Sequence, residues 1–224
     1  VDSPKVKCVN YYEAEGAYLI GVIAALTVDG ASHNYGSINV SQSASSFKWR
    51  YGFSQGVLSI DPKAKFVFNY VNGYSEVALA NELARQQYEK GCLFINSCAA
   101  GGDTGTFQAA LDKKFFTAGQ DVDLTSRDNP YIVSSQLKGA GESIAYLLDL
   151  YMEGKWNSEN ETLGVADGAI GAVWATRDST ITERPKQLSD ADMVIIKQAV
   201  EDIKVGKINM RDMPEEVAGI IPLI

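Results

Sequence analysis

The sequence predicts an α/β fold, a parallel sheet with helices on both faces, and three observations point to it. Short β-rich runs alternate with amphipathic helical runs from residue 6 to residue 118. Strands joined through helices in this way pair in parallel and are covered on both sides. The 224 residues, 46% of them hydrophobic, can bury a core of that size as one large domain or two modest ones.

Residues 6–11 read as a strand, and 13–27 as a helix built on the small, apolar run EGAYLIGVIAAL. Residues 36–40 are the next strand, followed by a helix from about 46 to 59. A strand at 65–71 leads into a helix at 76–90 with Ala and Leu at helical spacing. Residues 92–97 and 115–118 are strands on either side of a helix at 104–113. After Asp128, Asn129 and Pro130 the rhythm changes, which makes this turn the candidate boundary between structural units.

Beyond it, 131–136 reads as a strand and 141–153 as a long helix. A polar loop at 157–161 precedes a Gly-punctuated strand pair at 162–165 and 169–175, and 176–189 is loop-like. The last helix, 189–205, carries its own punctuation. Ser189 suits the N-cap, Asp190 and Asp192 sit favourably in the first turn, and Gly206 ends it. The apolar ending GIIPLI at 219–224 has no partner in this pattern.

Bulk composition excludes several partners. A net charge of −8 with scattered Lys and Arg argues against nucleic acid, whose phosphates need clustered basic residues, and against an anionic membrane surface. No apolar run approaches the roughly 20 residues of a membrane span. The chain opens on VDSPKV without an initiator Met, which reads as a processed or trimmed start and leaves the compartment open. Cys8, Cys92 and Cys98 form neither a CxxC zinc pattern nor a disulfide framework; they read as buried thiols, with one bridged pair as the alternative.

Catalysis fits poorly. The sole histidine, His33, lies in a polar loop with no nucleophile or orienting carboxylate nearby, and GxSxG, HExxH and P-loop motifs are absent. Three other stretches follow strands, where open α/β sheets bind ligands. GGDTG, with Gly101 and Gly102, either presents N–H groups to a polar ligand or is a tight turn with Thr104 as N-cap; both can hold. QDVD puts Asp121 and Asp123 at a strand end, as acceptors for sugar hydroxyls, as a metal pair lacking further ligands, or as a plain solvated turn. Tyr74 in VNGYSE either stacks on a planar ligand or packs.

Taken in order, YYEAEGAYLIGVIAAL, FKWRYGFSQGVLSIDPKAKFVFNYVNGYSEVALANELA, INSCAAGGDTGTFQAAL, AGQDVDLT, IVSSQLKGAGESIAYLLD and LGVADGAIGAVW resemble one family. It is the basic membrane protein family, the purine-nucleoside-receptor-like branch of ABC importer binding proteins. The resemblance implies a type I periplasmic-binding-protein fold with two lobes, of which residues 1–130 are one nearly complete lobe. It makes 131–175 the hinge and return segments of the second lobe, and 176–224 a C-terminal loop, helix and tail.

What the resemblance implies for function is a non-enzymatic, extracytoplasmic lipoprotein that binds a nucleoside without cofactor or metal and hands it to a membrane permease. A ligand-sensing regulatory module of the same fold is the alternative. By the same resemblance Tyr74 stacks on the base, Asp121 takes ribose hydroxyls, Lys138 reaches the ligand from the hinge side, and Gly101 and Gly102 line the pocket. Asp121 and Lys138 are expected to pair, compensating a buried carboxylate. Three departures stand out: Leu124 replaces an amide, Tyr74 replaces Phe, and the family's upstream portion is not in this chain. Without it, helix 141–153 and the apolar tail are expected to expose faces that a missing N-terminal half or a second copy would cover.

Overall fold

A computed structural model of the chain describes residues 3–214, so the stretch 219–224 lies outside the described residues. The elements in chain order are β1 (Val9–Tyr11), α1 (Glu13–Val28), β2 (Asn34–Asn39), α2 (Ala44–Ile60), β3 (Lys65–Tyr70), α3 (Val77–Glu89) and β4 (Cys92–Cys98). A short 3-10 turn, Ala100–Gly102, leads into α4 (Asp103–Lys113) and β5 (Phe116–Gly119). Then come β6 (Ile132–Lys138), α5 (Ala140–Met152), β7 (Glu161–Leu163), β8 (Ile170–Ala172) and α6 (Asp190–Lys204).

The six-stranded main sheet has the order β3-β2-β4-β5-β6-β8. Neighbouring strands are parallel except β6 and β8, where Gln136, Leu137 and Lys138 oppose Ala172, Gly171 and Ile170. The chain moves outward from β2 to β3, then returns past β2 to β4. Strand order therefore reverses between β2 and β4, and the crevice there is where such sheets bind ligands.

One sequence expectation needs correction. The strands near 162–165 and 169–175 do not pair with each other. β7 forms a separate two-stranded parallel ladder with β1, and β8 joins the main sheet. The turn between them explains the divergence: the N–H groups of Ala169 and Ile170 both donate to the Gly164 carbonyl, folding the chain away from the β1 ladder. The main sheet also continues past residue 130, through β6 and β8.

Helices α1, α2 and α6 share the core on one face, and α3 and α4 the core on the other. Apart from Glu13 and Leu26, every residue of α1 is buried, so this helix has no solvent face. It meets α2 backbone to backbone, and a Cβ at Gly21 would overlap the Phe53 carbonyl and one at Gly56 the Tyr18 carbonyl. The start of α1 is fastened to the far end of the chain. The buried Glu15 carboxylate accepts from Val165 N–H at 2.7 Å and from Arg211 Nε at 2.9 Å. Ser189 caps α6 as expected, in a reciprocal box with Asp192.

Helix α5 is the opposite of α1. Only Ser143 is buried, and Ile144, Leu148, Tyr151 and Met152 are 60%, 56%, 69% and 81% exposed. That agrees with an apolar helix left uncovered among the described residues.

Candidate ligand site at the carboxyl edge of the sheet

Because β2 through β6 are parallel, their carboxyl ends lie along one edge, and the loops that follow them form its rim. A cavity of about 140 Å³ opens there, lined by Val40 and Ser41 after β2, Tyr74 after β3, Cys98 and Ala100 at the end of β4, and Gln120 and Asp121 after β5. Ser43, Ser45, Ser46 and Trp49 of the α2 entry close it. The rim backbone is unusual in one respect. Asn72, Ala100 and Asp121, at φ 56°, 55° and 68°, each follow a strand's last residue by two positions. Left-handed backbone at a non-glycine residue is costly, and such residues collect at binding edges.

Asp121 is the sharpest case. Val122 N–H donates to the Gln120 carbonyl at 2.8 Å, closing a tight turn with Asp121 at its apex. Lys138, the last residue of β6, holds that apex twice. Its N–H donates to the Asp121 carbonyl at 3.0 Å, and its ammonium lies 2.8 Å from Oδ1. The expected pair therefore forms, but it does not compensate a buried charge: the Asp121 side chain is 54% exposed. Asp123 does not share the crevice, because its Oδ1 accepts from the N–H and hydroxyl of Thr125. Leu124, where a family amide would stand, packs over Gly119.

Tyr74 lines the cavity and is 74% exposed, so it is not a packing residue. Gly101 and Gly102 act differently from expectation. Gly101 N–H donates to the Tyr74 carbonyl at 2.9 Å and Gly102 N–H to the Ala99 carbonyl at 3.0 Å, so neither is free for a ligand. Ala100 lines the cavity in their place. A side chain at Gly101 would press on that same Tyr74 carbonyl, so the glycine lets the β4 turn support the tyrosine loop.

Thr104 is not the cap of α4, which begins one residue earlier at Asp103. The buried Asp103 carboxylate organises the turn instead, accepting from Ser97 Oγ and Ala99 N–H, both at 2.6 Å. Burial pushes its pKa up from 3.8 to about 6, against those two hydrogen bonds and with help from the Asp121 charge.

Sequence reasoning missed Trp49, Cys98 and the serines of 41–46 as cavity residues. The signal was available for the serines, since SQSASS directly follows a strand. Cys98 was taken as a buried thiol but is half-buried at the cavity, as Cys8 is elsewhere; only Cys92 is fully buried, and all three are free. Burial and the Asp103 carboxylate push the Cys98 thiol well above its ordinary range. Gln120 donates from Nε2 to the Ser97 carbonyl at 2.7 Å, which fixes its amide at the pocket floor. His33 precedes β2, at the opposite edge of the sheet, and pairs with Asp61 at 2.8 Å.

Asp121 and Lys138 also face a larger cavity of about 690 Å³ between the start of α5, β8 and α6, which includes Arg177, Lys197 and Glu201. Its chemistry is mixed in sign, and Asp121, which lines both, is the link between the spaces.

A family model described as ABC transporter substrate-binding protein PnrA-like matches residues 2–213. The chain belongs to this family. Among curated relatives, it is 24% identical over 187 residues to Basic membrane protein B of Borreliella afzelii (strain PKo), covering 81% of this chain and 54% of that protein. It is 26% identical over 113 residues to the CD4+ T-cell-stimulating antigen of Listeria innocua, covering 50% of this chain and 31% of that one. The chain thus spans about half the length of the first of these relatives, and less of the second.

Solved structures share the fold. The solute-binding protein of an ABC transporter system from Aeropyrum pernix K1 superposes with a TM-score of 0.77 at 19% identity, over 91% of this chain and 66% of that one. A transcriptional activator of the comK gene from Bacillus halodurans gives the same TM-score of 0.77 at 18% identity, over 91% and 67%. A galactofuranose binding protein aligns at 0.52 with 14% identity, over 89% and 65%. The family chain is therefore a type I periplasmic-binding-protein-like α/β structure, as the sequence predicted.

Proposed function

We propose that this chain is the solute-binding part of an extracytoplasmic receptor that delivers a nucleoside to an ABC permease. The observation that carries the reading is the convergence of Tyr74 and the Asp121–Lys138 pair on one edge of the sheet, with the cavity at the strand-order reversal between them. An aromatic face suits a planar base, and a half-exposed carboxylate with an ammonium at its side suits sugar hydroxyls. In this reading Gly101 serves the site by supporting Tyr74 and Gly102 by closing the turn after β4 onto Ala99, rather than by touching ligand. The reading assigns no chemical step, cofactor or metal, and the sole histidine lies at the far edge.

The same proposal gives β1, α5 and β7 to a second unit whose other part covers the apolar face of α5, either as the rest of a longer chain or as a second copy. Membrane attachment through a lipid anchor comes from family likeness. A ligand-sensing module is the second reading, favoured by the equal superposition on the activator structure. The two separate on output, one delivering cargo to a permease and the other altering a regulatory partner.

Titration calorimetry of the 224-residue chain with inosine, guanosine, adenosine, cytidine and free ribose tests the solute. Binding of one or more nucleosides that Asp121→Ala weakens strongly is the expected result. Binding of ribose alone would replace the nucleoside with a sugar, and heat from none of them would sink the receptor reading.

A further inference from the structure

Trp49 is the aromatic residue of this edge that family likeness did not name. It lies in the second turn of α2 and lines the cavity of about 140 Å³ with Tyr74, Gln120 and Asp121. Its ring is half-buried, and Lys138 Nζ stands over it, 6.0 Å from the centroid, while holding Asp121 Oδ1 at 2.8 Å. Indole, ammonium and carboxylate thus follow one another beside the pocket, with the ammonium at the outer limit of a cation–π contact.

The other two tryptophans each have an acceptor for the indole N–H, and one of them is buried. Trp174 is 4% exposed and its indole N–H donates to the Val133 carbonyl at 2.8 Å; that of Trp156 donates to the Pro4 carbonyl at 3.1 Å. The Trp49 indole N–H has no acceptor among the described residues. A large, half-buried aromatic ring at a cavity, whose N–H no group of the fold takes up, is available to something outside the fold.

We propose that Trp49 is a ligand-contacting residue that sets specificity in this pocket. The indole stacks on the face of a planar heteroaromatic group, and its N–H, which lies in the indole plane, is left for an acceptor beside that stacked ring. Tyr74, being far more exposed, is the secondary aromatic contact. The proposal rests on the solute-binding reading and names the part of the solute that decides selection, a heteroaromatic ring rather than the sugar.

The test uses the 224-residue chain with inosine and, separately, ribose, followed by tryptophan emission and by calorimetry. Circular dichroism checks that Trp49→Phe and Trp49→Ala fold. Inosine is expected to change emission in the parent chain. In Trp49→Phe that change disappears, although Trp156 and Trp174 remain, while inosine still binds within a few-fold. Trp49→Ala binds inosine roughly ten- to hundred-fold more weakly, the size of a lost stacking contact, and any ribose binding is unchanged.

A folded Trp49→Ala chain with parental inosine affinity overturns the proposal. If Trp49→Ala fails to fold, an emission change that persists in Trp49→Phe overturns it. Ribose binding without inosine binding overturns this proposal and leaves a solute-binding pocket standing. Binding of neither overturns the solute-binding reading and this proposal together.

Discussion

Lys138 grips Asp121 at two levels, by backbone N–H to carbonyl at 3.0 Å and by ammonium to carboxylate at 2.8 Å. The first contact ties the loop after β5 to the end of β6; the second aims a charge pair at the pocket. The two levels can be separated by mutation, because only the second needs the lysine side chain.

Lys138→Met should therefore cost ligand affinity and little stability. A half-exposed ion pair contributes less than about 1 kcal/mol to folding, and the backbone bond survives. Denaturant unfolding should show a change within that size, while calorimetry shows weaker nucleoside binding. A loss of several kcal/mol in folding would recast the pair as structural.

Replacing Asp121 separates charge from conformation. Asp121→Ala should weaken nucleoside binding by about 2–4 kcal/mol through lost charge-assisted hydrogen bonds. Asp121→Gly should bind as poorly, yet be more stable than the alanine variant by about 1 kcal/mol, since φ of 68° favours glycine. Equal stabilities would mean that the turn relaxes when the side chain is removed.

Asp103 makes a pH prediction. Its folded pKa of about 6 lies above the ordinary 3.8, so between those values the folded state holds the proton more tightly than the unfolded state. Its contribution is fully present below 3.8, is lost as pH rises through about 6, and is level above that. The loss amounts to about 2–3 kcal/mol. Asp103→Asn keeps an acceptor for Ala99 N–H, and should flatten the melting temperature between pH 4 and 6 as read by calorimetry. A variant that keeps the parental slope would move the effect to another group.

Glycine-to-alanine changes should have opposite signs on two helices. Gly56→Ala gains about 1 kcal/mol of helix propensity, but its Cβ would overlap the Tyr18 carbonyl and push α1 from α2, for a net loss of about 2 kcal/mol. Gly141→Ala meets nothing within 4 Å in α5 and should gain about 0.5–1 kcal/mol. Urea midpoints of the two variants check both signs.

Much of the fold was legible because hydrophobic period and turn residues report local structure, and helices such as Asp190–Lys204 with its Ser189 cap emerged almost to the residue. Strand partnership was not legible for β7 and β8, since two short runs separated by a Gly-rich turn look like a hairpin whether or not they pair. At the site, a carboxylate's neighbours decide its role. Asp121 and Asp123 are equivalent in sequence, but Thr125 takes one of them for its own turn. Trp49 was hidden among Phe47, Tyr51 and Phe53, where only the helix's orientation tells a core ring from a pocket ring. The backbone N–H of Gly101 looks available because nothing in a sequence shows that the Tyr74 carbonyl, 27 residues earlier, comes within reach of it.

The burial of α1 on all sides has a consequence for biosynthesis. Its first turn is locked by Arg211, 196 residues further along, and its outer flank by α6. At a synthesis rate of 5–20 residues per second, this apolar helix waits roughly 10–40 s for its last covering segment. Through that interval the core that α1 shares with α2 and α6 is incomplete, although the core on the other face of the sheet draws only on earlier residues. For that long α1 offers an apolar surface of the kind that chaperones cover.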